Sequence, residues 1–221
     1  MHAPFSELRQ RCLSQLTKNL YLQGASKHWQ SLTVMNDFEK RGVWWNAKRC
    51  WESGLATKNT HHLVLQDDVI VCKDFVTGVL DVIYAFPNEI ISLFSIPRKK
   101  FDGSCRWGIS EGVWGLGVVM PRNVLEKFLI WEKENIKPEF KHDDSRISLF
   151  CVKNKRTVKV PFPNLIDHQD VKSIVGNTWS KPRVSSDFMG ERSPHNFDWN
   201  EKDPIMKSIN SYTQYDKFLI K

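Results

Sequence analysis

Two neighbouring carboxylates, Asp67 and Asp68, stand where an apolar run ends at Leu65 and a second one begins at Val69. A short apolar run bounded by polar residues is typical of a buried parallel strand, and open α/β sheets bind ligands at the carboxyl ends of such strands. Two acids at this place need a compensating charge, and a divalent cation supplies it because hard cations prefer carboxylate oxygens. The stretch therefore indicates a metal site, with a solvated pair of acids in a turn as the alternative.

A second acidic pair, Asp143 and Asp144, lies near the start of a predicted helix. Acids are favoured there because they cap exposed N–H groups and complement the helix dipole, so capping is one interpretation. The other is that the helix start directs a general base into a cleft. A later loop carries His168, which is an ordinary surface residue unless a carboxylate metal site recruits its imidazole.

Between the two acidic pairs, residues 112–121 are rich in glycine. The segment lacks the Gly-Lys-Ser/Thr of a P-loop, and no clear strand precedes its Gly-x-Gly, so neither nucleotide-binding fingerprint is supported. The glycines beside Trp114 allow the backbone to approach a ligand closely, or they simply form a turn.

The elements that must position these side chains alternate along the chain. Helical spacing predicts a first helix over residues 6–20, with one apolar face formed by Leu8, Cys12, Leu13, Leu16 and Leu20. Further helices are predicted at 47–56, 74–84, 122–133 and from 143, and strands at 32–35, 63–65, 90–94 and 157–160. This alternation predicts an α/β sandwich with a mainly parallel central sheet. We expect residues 1–178 to form this domain and residues 179–221 to form an irregular tail or lid packed on it.

Composition limits the class of protein. The chain has 221 residues and a formal net charge of +7, which favours an anionic partner such as nucleic acid or a nucleotide. Its five cysteines are scattered without paired spacing, which is typical of reduced thiols in a cytosolic protein. No apolar run approaches the roughly 20 residues that span a bilayer, and the N-terminus lacks the apolar core of a signal peptide. We therefore expect a cytoplasmic protein with no membrane partner.

The order of these motifs resembles that of metal-dependent, nucleotide-sugar glycosyltransferases of the GT-A fold. Such enzymes carry a carboxylate motif, usually Asp-x-Asp, at the end of a central strand, where this chain has Gln-Asp-Asp at 66–68. In these enzymes a glycine-rich acceptor region follows, and then an acidic pair; in this chain they lie at 114–117 and 143–144. A histidine late in the sequence comes last, and here it is His168. The resemblance covers roughly residues 42–176. It implies a single Rossmann-like α/β/α sandwich.

Within that family, the chain is similar to bacteriophage glycosyltransferases that act on modified DNA bases. The similar phrases lie at 42–46, 65–69, 165–168 and 173–176. The resemblance implies sugar transfer to the hydroxymethyl group of a pyrimidine such as 5-hydroxymethylcytosine in double-stranded DNA, with the base flipped out of the duplex. Basic side chains would then contact phosphates, unless they form ordinary loop clusters: Arg98, Lys99, Lys100, Arg106, Lys153, Lys155 and Arg156.

On the donor side, the resemblance implies that Asp68, Asp67 and His168 hold Mn²⁺ or Mg²⁺, which bridges the diphosphate of a UDP-sugar. Gln66 stands where the family has its first acid, and its amide would hydrogen-bond a ribose hydroxyl. Two cations of the C-terminal segment would close on the diphosphate, with a solvated basic loop as the alternative: Lys181 and Arg183.

On the acceptor side, the resemblance implies that Asp144 removes the proton of the acceptor hydroxyl as the oxygen attacks the anomeric carbon from the opposite face. This predicts inversion of configuration. Asp143 would hold the acceptor in line, and Trp114 and Gly115 would contact it. A tryptophan of the core is the alternative for Trp114.

One departure concerns the family's first strand, which helps to hold the uracil and is absent or very short before Ser6. Two other functions stay open. The first is a glycosyltransferase that builds lipopolysaccharide or another surface glycan. The second is a non-enzymatic nucleic-acid-binding protein, which the basic charge supports and which makes no use of Asp67, Asp68 and His168.

Overall fold

The computed structural model describes residues 3–96, 106–169, 171, 183–185, 187–200, 206–208 and 213–220. In chain order, its helices are α1 (Glu7–Leu22), α2 (Ala25–His28), α3 (Val43–Leu55), α4 (Phe75–Ala85), α5 (Arg122–Asn135) and α6 (Asp143–Lys153). Its strands are β1 (His61–Leu65), β2 (Val69–Val71), β3 (Ile90–Ser92), β4 (Arg106–Ser110), β5 (Gly117–Pro121), β6 (Val158–Phe162), β7 (Ile166–His168) and β8 (Met206–Ser208). Two short 3₁₀ helices lie at Pro194–Asn196 and Thr213–Phe218.

Six strands form one mixed sheet in the order β1-β5-β3-β6-β4-β8. The pairings β3–β6 and β4–β8 are parallel, and the other three are antiparallel. Strands β2 and β7 form a separate antiparallel pair. The α/β class is confirmed, but the sheet is not mainly parallel as predicted. Alternation of helices and strands indicates the class, whereas strand direction depends on pairings between distant segments.

Both faces of the large sheet are buried. Neighbouring residues of β3, Ile90 and Ile91, belong to different apolar cores, as do Val118 and Val119 of β5. Helices α1 and α4 contribute to one core, and α3, α5 and α6 to the other. Because successive strand residues point to opposite faces, this division places helices on both sides of the sheet.

Strand β1, which leads into the first acidic pair, differs from its prediction. It lies at the edge of the sheet and pairs antiparallel with β5, with Leu65 opposite Gly117. Residues 32–35, which were predicted to form a strand, are not a strand in the structure. A cavity of about 380 Å³ is lined both by these residues and by β1. The short apolar run therefore predicted a strand correctly. It did not predict that the strand is antiparallel to its neighbour or that it lies at the edge of the sheet.

The first helix also differs in the face that it buries. Leu8, predicted to lie in the apolar stripe, is 47% exposed, whereas Arg9 is only 8% exposed. The buried stripe is Arg9, Cys12, Leu16 and Leu20. Helical spacing allows either residue to continue the stripe by one turn, and the partner of Arg9, described below, decides between them.

The C-terminal segment packs on the domain through its described residues. Met189 and Trp199 are buried in the core, and the Trp107 indole donates to the Trp199 carbonyl oxygen at 2.5 Å. Strand β8 extends the sheet beside β4. In the described parts of the chain, no helix has the length and apolar character needed to cross a membrane. Four cysteines in these parts are unpaired and buried: Cys12, Cys50, Cys72 and Cys151.

Arg146 fixes the position of α6, the helix that carries the second acidic pair. It is fully buried, forms an ion pair with Glu132 of α5, and donates from Nε to the Phe140 carbonyl oxygen at 2.7 Å. Its guanidinium also lies 4.5 Å from the centre of the Trp44 ring. A charge buried this deeply is tolerated only with such partners, so the pair holds α6 against α5.

We expect Arg146→Met to lower the free energy of unfolding by about 3–5 kcal/mol, because Glu132 then stays buried without its main partner. Urea unfolding followed by circular dichroism measures the change. Lys153→Met at the other end of α6 is the control, since Lys153 and its partner Asp216 are more than a third exposed. The control should lose less than about 1 kcal/mol. Equal losses in the two variants would show that Arg146 contributes no more than a surface cation.

Candidate functional site

The turn between β1 and β2 brings the first acidic pair and His168 together. Val69 of β2 pairs with His168 of β7, so the residue just before β2 lies beside the imidazole. His168 Nε2 is 3.1 Å from Asp68 Oδ2, and each of these side chains is 1% exposed. The metal-ligand prediction required Asp68 and His168 to meet across about 100 residues of chain, and the structure brings them into contact.

Arg9 is a member of this cluster that the sequence analysis missed. Its Nη1 atom lies 2.6 Å from Asp67 Oδ1 and 2.5 Å from Asp68 Oδ2. Asp67 Oδ2 also accepts the backbone N–H of Ala3 at 3.0 Å. The sequence does contain a sign that Arg9 could be buried. One turn before Cys12, the stripe of Cys12 and Leu16 reaches Arg9 as well as Leu8.

These contacts determine the charge state of Asp68. Burial alone would raise the pKa of this carboxyl, but the contact with His168 and the charge of Arg9 outweigh it and hold the pKa below its usual value. Asp68 is therefore a carboxylate at neutral pH.

The chemistry of the donor atoms fits a divalent cation. Asp68 Oδ1 and His168 Nδ1 are buried and lack a hydrogen-bond partner in the described structure. Buried polar atoms are normally paired, so the unpaired Asp68 Oδ1, in the carboxylate that contacts His168 Nε2, offers an acceptor to a cation. Across the described ranges, no group of three His, Cys, Asp or Glu side chains is arranged to hold a metal. Mg²⁺ commonly takes only one or two protein carboxylates, with phosphate and water oxygens completing its shell, and this cluster suits that mode.

The second acidic pair faces the same turn across Gly115. A Cβ atom built on Gly115 would lie 3.1 Å from Gln66 Nε2 and 3.3 Å from both Asp143 Oδ2 and Asp144 Cβ. The glycine therefore allows the end of β1 and the start of α6 to approach the loop before β5 closely. Four residues that the sequence analysis singled out separately meet here.

The two acids of this pair have different surroundings. His142, not an aspartate, is the N-cap of α6, and it makes no side-chain cap bond. Asp144 Oδ1 accepts the backbone N–H of Ser145 at 2.7 Å, while Asp143 is 9% exposed. Burial, followed by the charge of Asp144, raises the pKa of Asp143 to about 7. Burial also raises the pKa of Asp144. Asp143 therefore exchanges its proton near pH 7, beside a second carboxyl whose pKa is also raised.

We expect Asp143→Asn to stabilise the protein at pH 8 and not at pH 4. The folded-state pKa of about 7 lies above the usual 3.8, so the folded protein holds this proton more tightly than the unfolded chain. The stabilisation by protonated Asp143 is complete below pH 4 and is lost as the pH rises through 7. Removing the ionisable group should therefore raise the free energy of unfolding at pH 8 by up to about 4 kcal/mol, and the melting temperature should rise with it.

Thermal unfolding of wild type and Asp143→Asn from pH 4 to pH 8 measures this difference. Asp37→Asn is a control for loss of a buried carboxylate that accepts backbone N–H bonds. That control should be destabilised at pH 8, since an asparagine has only one side-chain oxygen for the two backbone N–H groups that the Asp37 oxygens accept. A difference between Asp143→Asn and wild type that is the same at both pH values would contradict a raised pKa for Asp143.

Two further predicted residues lie around this cluster. Arg183 Nη2 is 3.4 Å from His168 Nε2, and the Arg183 charge acts to lower the pKa of Asp144. Arg183 thus lies beside His168 and close enough to Asp144 for its charge to act on that carboxyl. Trp114 packs edge-on against Phe94, and its backbone N–H donates to the Ser92 hydroxyl at 3.3 Å. These contacts favour the alternative that Trp114 belongs to the core. The other donor-side cation, Lys181, falls in a part of the chain that is not described.

The structure does not gather the predicted phosphate contacts at this site. Lys153 pairs with Asp216 at 3.0 Å, and Arg156 lies 6.0 Å from the centre of the Phe150 ring. These residues and Lys155 lie at the C-terminal end of α6, about 15 Å from its acidic start. Residues 98–100 and the Arg106 side chain are outside the described part of the chain.

No known family model matches the chain, and no curated protein matches it at a significant level. Function must therefore be argued from the cluster itself. Three features characterise this cluster. They are the buried contact between Asp68 and His168, the cation Arg9 beside it, and the raised pKa values of Asp143 and Asp144.

Proposed function

We propose that the protein is a metal-dependent glycosyltransferase that moves a sugar from a nucleoside diphosphate to a hydroxyl acceptor. The observation that carries this proposal is the approach, at Gly115, of Gln66 from the turn that holds Asp67 and Asp68 to the second acidic pair, Asp143 and Asp144. One centre, at this turn, holds an ionised carboxylate beside an imidazole. The other holds two carboxyls with raised pKa values, of which Asp143 has a pKa of about 7. Group transfer from a diphosphate needs both functions side by side.

The first centre would bind the donor. Asp68 and His168 would hold Mn²⁺ or Mg²⁺, with Asp67 beside them, and the bound cation would offset the negative charge of the leaving diphosphate. Arg183, close to His168, would add a guanidinium whose geometry suits phosphate. Gln66 would hydrogen-bond a ribose hydroxyl.

The cavity beside β1 supports a nucleoside such as uridine at this end of the site. Its lining includes Gln66 and Asp67 at the acidic turn and apolar walls from Leu16, Trp29 and Leu63. A volume of about 380 Å³ is within the range of small-ligand pockets. Apolar walls suit a flat nucleobase, and the polar groups at one end suit the hydroxyls of the ribose attached to it.

The second centre would activate the acceptor. Asp144 would take the proton of the acceptor hydroxyl as its oxygen attacks the anomeric carbon, and Asp143 would hold that hydroxyl in line. Attack from the side opposite the leaving diphosphate inverts the configuration of the sugar. A base whose pKa is raised accepts this proton more readily than an ordinary carboxylate does, which suits a reaction at neutral pH.

We also propose that the fold is a variant of the GT-A sandwich. Supporting features are the acidic turn after β1, the helices on both faces of the sheet, and the acidic start of α6 facing that turn across Gly115. The mixed strand directions are a departure from a mainly parallel sheet.

For the acceptor, we propose the hydroxymethyl group of a modified pyrimidine such as 5-hydroxymethylcytosine in double-stranded phage DNA. The net charge of +7 supports a polyanionic acceptor. A lipopolysaccharide or other surface glycan is the second candidate, since a carboxylate base can deprotonate a sugar hydroxyl equally well. A nucleic-acid-binding protein without activity is the third.

One experiment separates these functions. The protein is incubated with Mn²⁺, a panel of nucleotide sugars and either hydroxymethylated DNA or oligosaccharide acceptors, and the products are analysed by mass spectrometry. We expect nucleosides from the DNA to gain the mass of one sugar. Sugar appearing only on oligosaccharides would select the glycan acceptor. Binding to DNA with no transfer to either acceptor would contradict an enzyme and favour the third function.

A further inference from the structure

Arg9 enters the acidic turn from a helix that is otherwise apolar on its buried side. Its neighbours in the stripe, Cys12 and Leu16, pack inward, and the Arg9 side chain is 9% exposed. The exposed arginine of the same helix, Arg11, has a side chain that is 78% exposed and contacts Glu7 at 3.8 Å. Burying an arginine costs free energy, so its location requires a specific partner.

The geometry of the Arg9 contact is that of a point charge. A strong arginine–carboxylate pair is usually bidentate, with two nitrogens facing two oxygens of one acid. Here a single atom, Nη1, lies between oxygens of two different acids, Asp67 and Asp68, and Arg9 Nε is buried without a hydrogen-bond partner in the described structure. One positive atom between two carboxylates occupies the place that a bridging cation would take.

The same helix is tied to the turn at two further points. Cys12 Sγ lies 3.0 Å from Gln169 Oε1, and the Gln169 backbone N–H donates to the Asp68 carbonyl oxygen at 2.8 Å. The Ala3 N–H donates to Asp67 from the segment before α1. Movement of Arg9 away from the acids would therefore involve the first turns of α1.

We propose that Arg9 is an internal cation that neutralises the acidic turn, and that a divalent cation competes with it for Asp68. This inference rests on the proposed function, because it assumes a metal site at Asp68 and His168. Competition follows from charge and space: a divalent ion near Asp68 is repelled by a guanidinium nitrogen 2.5 Å from the same carboxylate. Metal binding thus releases Arg9 and loosens the start of α1.

The test measures Mn²⁺ binding by the loss of the free-ion electron paramagnetic resonance signal, in wild type, Arg9→Gln and Arg11→Gln. We expect Arg9→Gln to bind Mn²⁺ more tightly than wild type, by about 5- to 150-fold, the usual range for coupled sites. Arg11→Gln is the control on the same helix and should match wild type. Adding Asp68→Asn to Arg9→Gln should abolish the gain.

A second measurement uses the wild-type protein, so it does not depend on the folding of a variant. Hydrogen exchange of peptides from α1 should become faster on addition of Mn²⁺. Unchanged or weaker Mn²⁺ binding by a folded Arg9→Gln, or unchanged or slower exchange in α1, would overturn the inference. So would the absence of Mn²⁺ binding in every protein tested.

Sugar transfer by the wild type distinguishes this failure from failure of the proposed function. If the wild type transfers sugar with Mn²⁺ but Arg9→Gln shows no gain in Mn²⁺ affinity, only the proposed role of Arg9 is contradicted. A gain in Mn²⁺ affinity with no transfer to any acceptor would leave the competition standing and remove the transferase.

Discussion

Replacing Asp144 by Asn is expected to lower kcat for sugar transfer by about 10²- to 10⁴-fold, the usual contribution of a general base. Asparagine is similar in size but cannot take a proton. The backbone N–H of Ser145, which Asp144 Oδ1 accepts at 2.7 Å, can still be paired by the asparagine oxygen, so α6 should keep its position. Steady-state kinetics with saturating donor and varied acceptor measures the effect.

Asp143→Asn is the matched comparison, one residue away in the same helix. If Asp143 only holds the acceptor, its loss should raise KM for the acceptor more than it lowers kcat. The wild-type rate should fall as the pH is lowered, because burial raises the pKa of Asp144 and the protonated acid cannot act as the base. Asp144→Asn should lose this acidic limb of the pH profile. A larger fall in kcat for Asp143→Asn than for Asp144→Asn would exchange the two roles.

Replacing Asp68 by Asn is the second large effect that we expect. It should weaken Mn²⁺ binding and slow sugar transfer by about 10- to 100-fold or more, because removal of a direct ligand costs no less than removal of its supporting groups, for which 10- to 100-fold is typical. The fold should survive, since Asp67 still pairs with Arg9 at 2.6 Å. Electron paramagnetic resonance gives the Mn²⁺ affinity and product formation gives the rate.

Asp67→Asn is the control for this variant. Both Asp67 oxygens have partners of their own, Arg9 and the Ala3 N–H, so this acid is expected to matter less for the metal than Asp68. An Asp68→Asn protein with unchanged Mn²⁺ affinity and activity would remove the metal site and leave the nucleic-acid-binding alternative.

The sequence was informative about the site because its members sit at the ends of elements. Asp68 follows a strand, Asp143 begins a helix, and both were recognised from residue type and local pattern. That the two motifs share one site, where Gln66 and Asp143 approach Gly115, was implied by the resemblance of motif order and not by spacing. A residue without a side chain gives no local sign of which distant groups approach it.

The direction of β1 and the burial of Arg9 could not be predicted in the same way. Strand direction depends on β5, which lies more than 50 residues later. Arg9 and Leu8 are both compatible with the buried stripe of α1, and only the acidic turn below the helix favours the arginine. In both cases a contact between distant segments outweighs a local apolar preference.

The most direct test of the central claim is a crystal structure with UDP and Mn²⁺, in which the anomalous signal locates the metal. We expect an anomalous peak within coordination distance of both Asp68 and His168, with the diphosphate between that peak and Asp144. A peak elsewhere on the protein, or UDP bound away from Gln66 and the acidic turn, would contradict it.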